Sequence, residues 1–325
     1  MISSDYSFAS PDLESAIDRD PLIVSANTSL VEAIALMGKA KGTSCTVGKD
    51  NINSEFIATN QNRSGCALVI ENEKLQGVIT ERDIVKLTAQ ELQFEGVKIG
   101  DVMTQPVVTL LESNFKDIFA ALFLFRRYRI RHLPIVDEKD QLVGVISPET
   151  IRQSMRPANL LKLRKVADVM SKKIIHAPLT ATVLSVAQLM AENRVSCVVI
   201  TEEDIQENIL IPVGIITERD ILQFQFLEAK LENLEAQHVM STPLFLLNPE
   251  DSLLLAHQEM QHRKVRRLVV SWNWGQGLGI VTQTSMLRVF DPMEMYGVIE
   301  TLQSTVQQLE QEKAELLSLV KKTSL

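Results

Sequence analysis

The sequence has 325 residues, 45% of them hydrophobic and 23% charged, which excludes a disordered chain and allows roughly two ordinary domains, each with its own core. A formal net charge of −8 argues against a general nucleic-acid or anionic-membrane binder. Three cysteines (Cys45, Cys66 and Cys197) with no close pairs exclude a disulfide scaffold or structural zinc centre, and the absence of a basic-then-apolar leader at Met1 to Asp5 points to the cytoplasm.

Residues 1–12 read as a tail. After them a short β-rich run, Pro21 to Val24, leads into a capping box at Ser29 and Glu32 and a helix whose apolar stripe is Leu30, Ile34 and Met37. The stretch from Thr46 to Ser64 is rich in Asn, Ser and Gly and reads as a surface loop. Gly77-Val78-Ile79-Thr80 then closes a strand, and a helix begins at Thr80. The same plan recurs. First strands are expected at Pro106 to Thr109, Ile174 to His176 and Pro243 to Leu246. A hairpin is plain in the second copy, where Leu133 to Val136 and Leu142 to Ile146 flank the polar turn Asp137 to Gln141. The greasiest run, Ile118 to Phe125, is too short to span a bilayer.

The Gly-apolar-apolar-Ser/Thr ending thus appears four times, at Gly77, Gly144, Gly214 and Gly279, roughly 67 residues apart. The implied fold class is α/β (α+β): four β-α-β-β-α repeats, each too small for a core of its own, so that neighbours pair. The repeats span 13–92, 97–156, 163–228 and 235–291, and Pro157-Ala158-Asn159 separates two pairs, 13–158 and 159–291. Three residues past the Ser/Thr stand Asp83, Thr150, Asp220 and Ser285, so a carboxylate occurs in the first and third copies alone. That alternation suggests two ligand sites.

The repeated endings, the Val-Met openings (Val102-Met103, Val169-Met170, Val239-Met240) and the segment Arg131 to Asp137 resemble tandem cystathionine-β-synthase (CBS) domains, which pair into Bateman modules. The resemblance covers residues 13 to 291. It implies an adenosine ligand in the two clefts that carry an aspartate: AMP, ADP or ATP, with S-adenosylmethionine as another candidate, and no required cofactor. In such families the Asp of one repeat meets the ribose diol, the Ser/Thr and the following helix N-terminus face the sugar or phosphate, and basic residues of the paired repeat meet phosphates. Carried onto this sequence, one site is Thr80, Asp83, Arg131 and His132, and the second is Thr217, Asp220, Arg266 and Arg267. Thr104 to Val108 and Thr242 to Phe245 are expected walls for the adenine. Arg126, Arg127 and Arg129 read as a solvated helix end.

From Met295 to Val320 the apolar residues Ile299, Leu302, Val306, Leu309 and Leu316 fall at a/d spacing, with Lys313 at an a position. Residues 292–325 are therefore expected to form a parallel dimeric coiled coil through 295–320, the chain's own copy being one partner. This junction resembles the sensory region of cyanobacterial multi-sensor histidine kinases and diguanylate cyclases, which implies a PAS, GAF or kinase effector in the same or a separate chain. Within these residues no catalytic or metal motif is seen, so the chain reads as a non-enzymatic sensor; a ligand-free scaffold is the rival reading. Gly275 to Gly279 reads as a turn, His257 and His262 as surface residues, Cys66 and Cys197 as small buried strand-entry residues, and Trp272 and Trp274 as loop packing.

Overall fold

The computed structural model describes residues 13–39, 65–155, 161–162, 164–204, 209–273 and 277–290. The tail 1–12, the loop 46–64, Cys45, the boundary 157–159, Trp274 and the coiled-coil segment 292–325 lie outside the described residues.

Each repeat folds around one three-stranded sheet. The first holds β1 (Leu22–Val24), β2 (Cys66–Glu71) and β3 (Lys74–Thr80); the second β4 (Leu110–Leu111), β5 (Leu133–Val136) and β6 (Leu142–Ile146). The third holds β7 (His176–Pro178), β8 (Cys197–Asp204) and β9 (Ile209–Thr217); the fourth β10 (Leu246–Leu247), β11 (Arg267–Trp272) and β12 (Gly277–Thr282). In every sheet the first strand runs parallel to the second, which needs a crossover helix, and the second pairs antiparallel with the third. The crossover helices are α1 (Leu30–Lys39), Ile118–Tyr128, Val183–Asn193 and Leu253–His262. The expected β-α-β-β-α order is therefore the observed one, closed by helices Glu81–Ala89, Pro148–Met155, Glu218–Phe226 and Gln283–Met286.

The expected first strands differ in position. In the second to fourth repeats pairing starts downstream, at Leu110, His176 and Leu246. The upstream residues are already committed elsewhere. Thr104 pairs antiparallel with Val78, Ser241 with Ile215, Asp18 with Val145 and Ser171 with Ile280. Each repeat thus lends its opening segment to the third strand of its partner, and Pro106 and Pro243 lack the N–H that a central strand position demands.

This exchange explains the motif glycines. A Cβ on Gly144 would stand 2.5 Å from the backbone oxygen of Asp18, and one on Gly77 would stand 2.2 Å from the Met103 sulfur. Backbone cannot yield as a thioether can. Gly144→Ala is expected to destabilise by about 1–3 kcal/mol, and Gly77→Ala by less, because Met103 can change rotamer. Urea midpoints of the two variants check the order.

Each repeat has its own core: Leu30, Ile34 and Ile79 in the first, Ile118, Leu133 and Ile146 in the second, Val183, Met190 and Ile200 in the third, and Leu253, Met260 and Val281 in the fourth. Paired sheets then meet through smaller apolar patches, Cys66, Leu68 and Val145 in one module and Cys197, Val199, Ile215 and Val269 in the other. Both cysteines are buried, and burial pushes the Cys197 thiol up.

The modules join helix to helix. Helix Glu81–Ala89 packs on Val183–Asn193 and Glu218–Phe226, so Val85 enters the third repeat's core and Leu222 the first's. Gln225 Nε2 donates to Thr88 Oγ1 across this seam at 3.1 Å. Helix Pro148–Met155 meets Gln283–Met286, and Leu287 enters the second repeat's core. Repeat one therefore opposes three, and two opposes four. Among the described residues no helix is long and apolar enough to cross a membrane.

Candidate functional site

The four closing helices start with the same local device. In the first repeat the Thr80 backbone N–H and hydroxyl both donate to Asp83 Oδ2, at 2.9 and 2.7 Å, and Asp83 N–H points back to Thr80 Oγ1. In the third, Thr217 N–H donates to Asp220 Oδ2 at 2.8 Å. The other two repeats complete the box with hydroxyls: Ser147 N–H donates to Thr150 Oγ1 at 2.9 Å, and Thr282 N–H to Ser285 Oγ at 2.9 Å. One acceptor oxygen satisfies the cap. A carboxylate brings a second oxygen, Oδ1, that the cap does not use. Asp83 and Asp220 carry it, and Thr150 and Ser285 do not.

In the first repeat Asp83 Oδ1 lies 3.5 Å from the Thr104 hydroxyl, on the segment expected to wall the adenine. Gln105, Pro106 and Val107 of that segment also border a cavity of about 580 Å³ with Lys74, Gln76 and Val136. That cavity lies toward the hairpin end of β3, where Lys74 and Gln76 stand. It does not include Thr80, Asp83, Arg131 or His132. In the second module the Phe245 ring, on the other expected wall, is covered by the Arg263 guanidinium at 4.3 Å.

The basic residues divide. Arg267 stays inside its own module: it donates to the Ser196 carbonyl at 2.8 Å, and its charge acts on both Asp220 and Cys197. Asp220 and Arg267 are thus brought to one cleft. Arg266 instead crosses to the other module and donates to Glu149 at 2.6 Å. Arg131 also crosses, to Glu218, which accepts from Arg82 Nε as well at 3.2 Å. His132 sits half-buried at the entry to β5. Arg129 ends its helix in the left-handed region at φ 54°, and its carbonyl accepts from Arg82 at 3.3 Å.

Sequence reasoning missed the carboxylates of this junction. Glu218 is 1% exposed and serves two arginines, while Arg219 faces Glu81 at 3.8 Å in a reciprocal, longer pair. The signal was present. The tripeptide Glu-Arg-Asp occurs at 81–83 and again at 218–220, and the two Glu-Arg pairs answer one another across the module seam.

Asp220 is 8% exposed, and burial pushes its carboxyl above the ordinary value of 3.8, against the opposing pull of Thr217, Arg267 and Arg219. A carboxyl so raised binds its proton more tightly in the folded chain. Its contribution to stability is therefore fully present below the ordinary value and is lost as pH rises through the raised one. Asp220→Asn, which keeps an acceptor for the Thr217 N–H, is expected to raise the ligand-free melting temperature at neutral pH. The gain should vanish in acid, where Asp220 itself is neutral. Thermal melts from pH 4 to 8 check the sign.

Among the described residues no group of three or more His, Cys, Asp or Glu is placed to hold a metal. The CBS-domain family model matches residues 13–89, 99–156, 166–226 and 236–291. An uncharacterised protein of Methanopyrus kandleri is 39% identical over 90 residues, 27% of this chain and 45% of its own. The inosine-5'-monophosphate dehydrogenase of Methanocaldococcus jannaschii is 34% identical over 140 residues, 43% of this chain and 26% of its own. The chain thus spans less than half the length of these curated relatives. Among solved structures, one from Methanocaldococcus jannaschii described as a candidate archaeal homolog of g-AMPK shares the fold with a TM-score of 0.69 at 18% identity, covering 86% of this chain and 99% of its own. An uncharacterised Pyrococcus horikoshii protein does so with a TM-score of 0.51 at 17% identity, covering 69% and 90%.

Proposed function

The chain belongs to the CBS-domain family, and from that premise we propose that it is a regulatory sensor which binds adenosine nucleotides in two of its clefts. One cleft is built on Thr80, Asp83, Arg131 and His132, the other on Thr217, Asp220, Arg266 and Arg267. The ligand is AMP, ADP, ATP or S-adenosylmethionine, and the protein does no chemistry on it. The observation that carries this reading is the second carboxylate oxygen of Asp83 and Asp220. Where a cap alone is needed, repeats two and four use a hydroxyl. An acceptor beyond the cap is what a ribose diol, with two O–H donors, requires.

Ligand binding changes a protein's state in proportion to its preference for one packing over another. The cross-module pairs Arg131–Glu218 and Arg266–Glu149 give the two modules something to rearrange. We assign the output to the segment 295–320, as a parallel dimeric coiled coil that passes the state to a PAS, GAF or kinase-type effector. Isothermal titration with AMP, ADP, ATP and S-adenosylmethionine tests the binding step, with two sites per chain expected. Absence of heat and of any thermal shift with all four would sink the reading and leave an empty-cleft scaffold.

A further inference from the structure

We propose that the apolar seam of the C-terminal segment, from Ile299 to Leu309, docks within its own chain on the outer face of helix Ile118–Tyr128, over Phe119 and Phe123. The docking goes beyond the sensor reading and does not depend on nucleotide binding.

Helix Ile118–Tyr128 turns Ile118, Ala121 and Phe125 into the second repeat's core. Its opposite side is apolar as well. Phe119 and Phe123 stand four residues apart, hence on one face, and are 40% and 64% exposed. Among the described residues no large hydrophobic side chain is more exposed than Phe123. The equivalent crossover helices Val183–Asn193 and Leu253–His262 expose no large hydrophobic residue, so the repeat plan does not require such a face. An exposed aromatic face rimmed by charge is the mark of a docking surface.

The path of the chain names the occupant. The last described turn, Leu287–Phe290, places Leu287 in the same apolar cluster as Ile118, Ala121 and Phe125. Residues 291–325 therefore leave the fold beside this helix. The linker from Phe290 to Ile299 can span up to about 30 Å. A helix carrying Ile299, Leu302, Val306 and Leu309 on one face would be about 15 Å long between its outer pair. Helix Ile118–Tyr128, with 11 residues, is about 16 Å long. The lengths match.

Charge favours the same pairing. Between Asp291 and Glu312 every charged residue is acidic: Asp291, Glu294, Glu300, Glu310 and Glu312. The helix to be covered ends in Arg126 and Arg127, with Arg129 as its cap, and all three are exposed. Complementary charge fixes which surfaces meet and in what register. A seam seated on Phe123 is closed to a second copy. Docking and the dimeric coiled coil assigned above therefore exclude one another, and the docked form holds the output segment in reserve.

The test places a photoreactive side chain at the face of the full chain, Phe123→p-benzoylphenylalanine. Isotopically heavy and light protein are mixed and irradiated, and cross-links are mapped by mass spectrometry. Cross-links to residues 299–309 should join heavy to heavy and light to light. Leu302→Glu with Val306→Glu should cut their yield at least about tenfold. Cross-links between heavy and light chains would put a second copy on this face and overturn the inference. So would no cross-link to 299–309, or a yield that the seam substitutions leave unchanged. Phe119→Ser with Phe123→Ser, at exposed positions, then frees the seam without touching the core. This variant should dimerise at about tenfold lower protein concentration than the native chain in sedimentation velocity. A native dimer that the serines fail to tighten overturns the exclusion of one state by the other. If the chain cross-links within itself and the serine variant stays monomeric, the docking stands and the coiled-coil output falls.

Discussion

Serine at position 83 or 220 is expected to delete one adenosine-nucleotide site without destabilising the fold. The native repeats already contain the control. Ser285 caps its helix with a hydroxyl that accepts from Thr282 N–H at 2.9 Å, and its own N–H donates to Thr282 Oγ1 at 3.0 Å. Asp83→Ser should recreate that arrangement against Thr80. What it removes is the carboxylate oxygen outside the cap, and with it two charge-assisted hydrogen bonds to a diol. Each such bond contributes about 1.5–3 kcal/mol, so the affected site should weaken at least about 100-fold. Titration stoichiometry should fall from two sites to one in either variant and to none in the double variant. A stable double variant that still binds two nucleotides would show that the aspartates only cap their helices.

The largest stability effect is expected at Glu218. Its carboxylate is 1% exposed and answers both Arg82 and Arg131, whose side chains are themselves 40% and 23% exposed. Glu218→Ala leaves two guanidiniums facing a space from which water is largely excluded. Breaking a buried pair by removing one partner costs about 3–5 kcal/mol. Glu149→Ala, which unpairs Arg266 at a site where both side chains are 27% exposed, should cost about 1 kcal/mol. Replacing Arg82, Arg131 and Glu218 together by Met, Met and Leu should recover most of the loss, because apolar packing removes the desolvation penalty with the charges. Urea unfolding of the three variants measures all of this. Equal, small effects at Glu218 and Glu149 would mean that water reaches the Glu218 cluster.

What could be read from the sequence was local. The closing helices were legible because their caps lie within four residues, and the repeat because its glycine recurs wherever a neighbouring segment crosses close above it. The first strands were misplaced because Thr104 and Ser241 pair with strands of another repeat, a choice that propensity does not encode. The basic residues were found, but two of their partners were not. Arg131 and Glu218 are 87 residues apart, and Arg266 and Glu149 are 117 apart. Nothing in residue spacing reports which module faces which. The paired Glu-Arg-Asp tripeptides at 81–83 and 218–220 show, in hindsight, where to look.

One turn of helix has a wider consequence. Glu218 holds the arginine of the first cleft, and Asp220, two residues on, is the ribose carboxylate proposed for the second. Whatever tugs on Arg131 therefore tugs on the footing of Asp220. Under the proposed function the chain is not a pair of independent gauges read separately. It is wired as a comparator, whose output follows the balance between two ligand pools rather than the level of either.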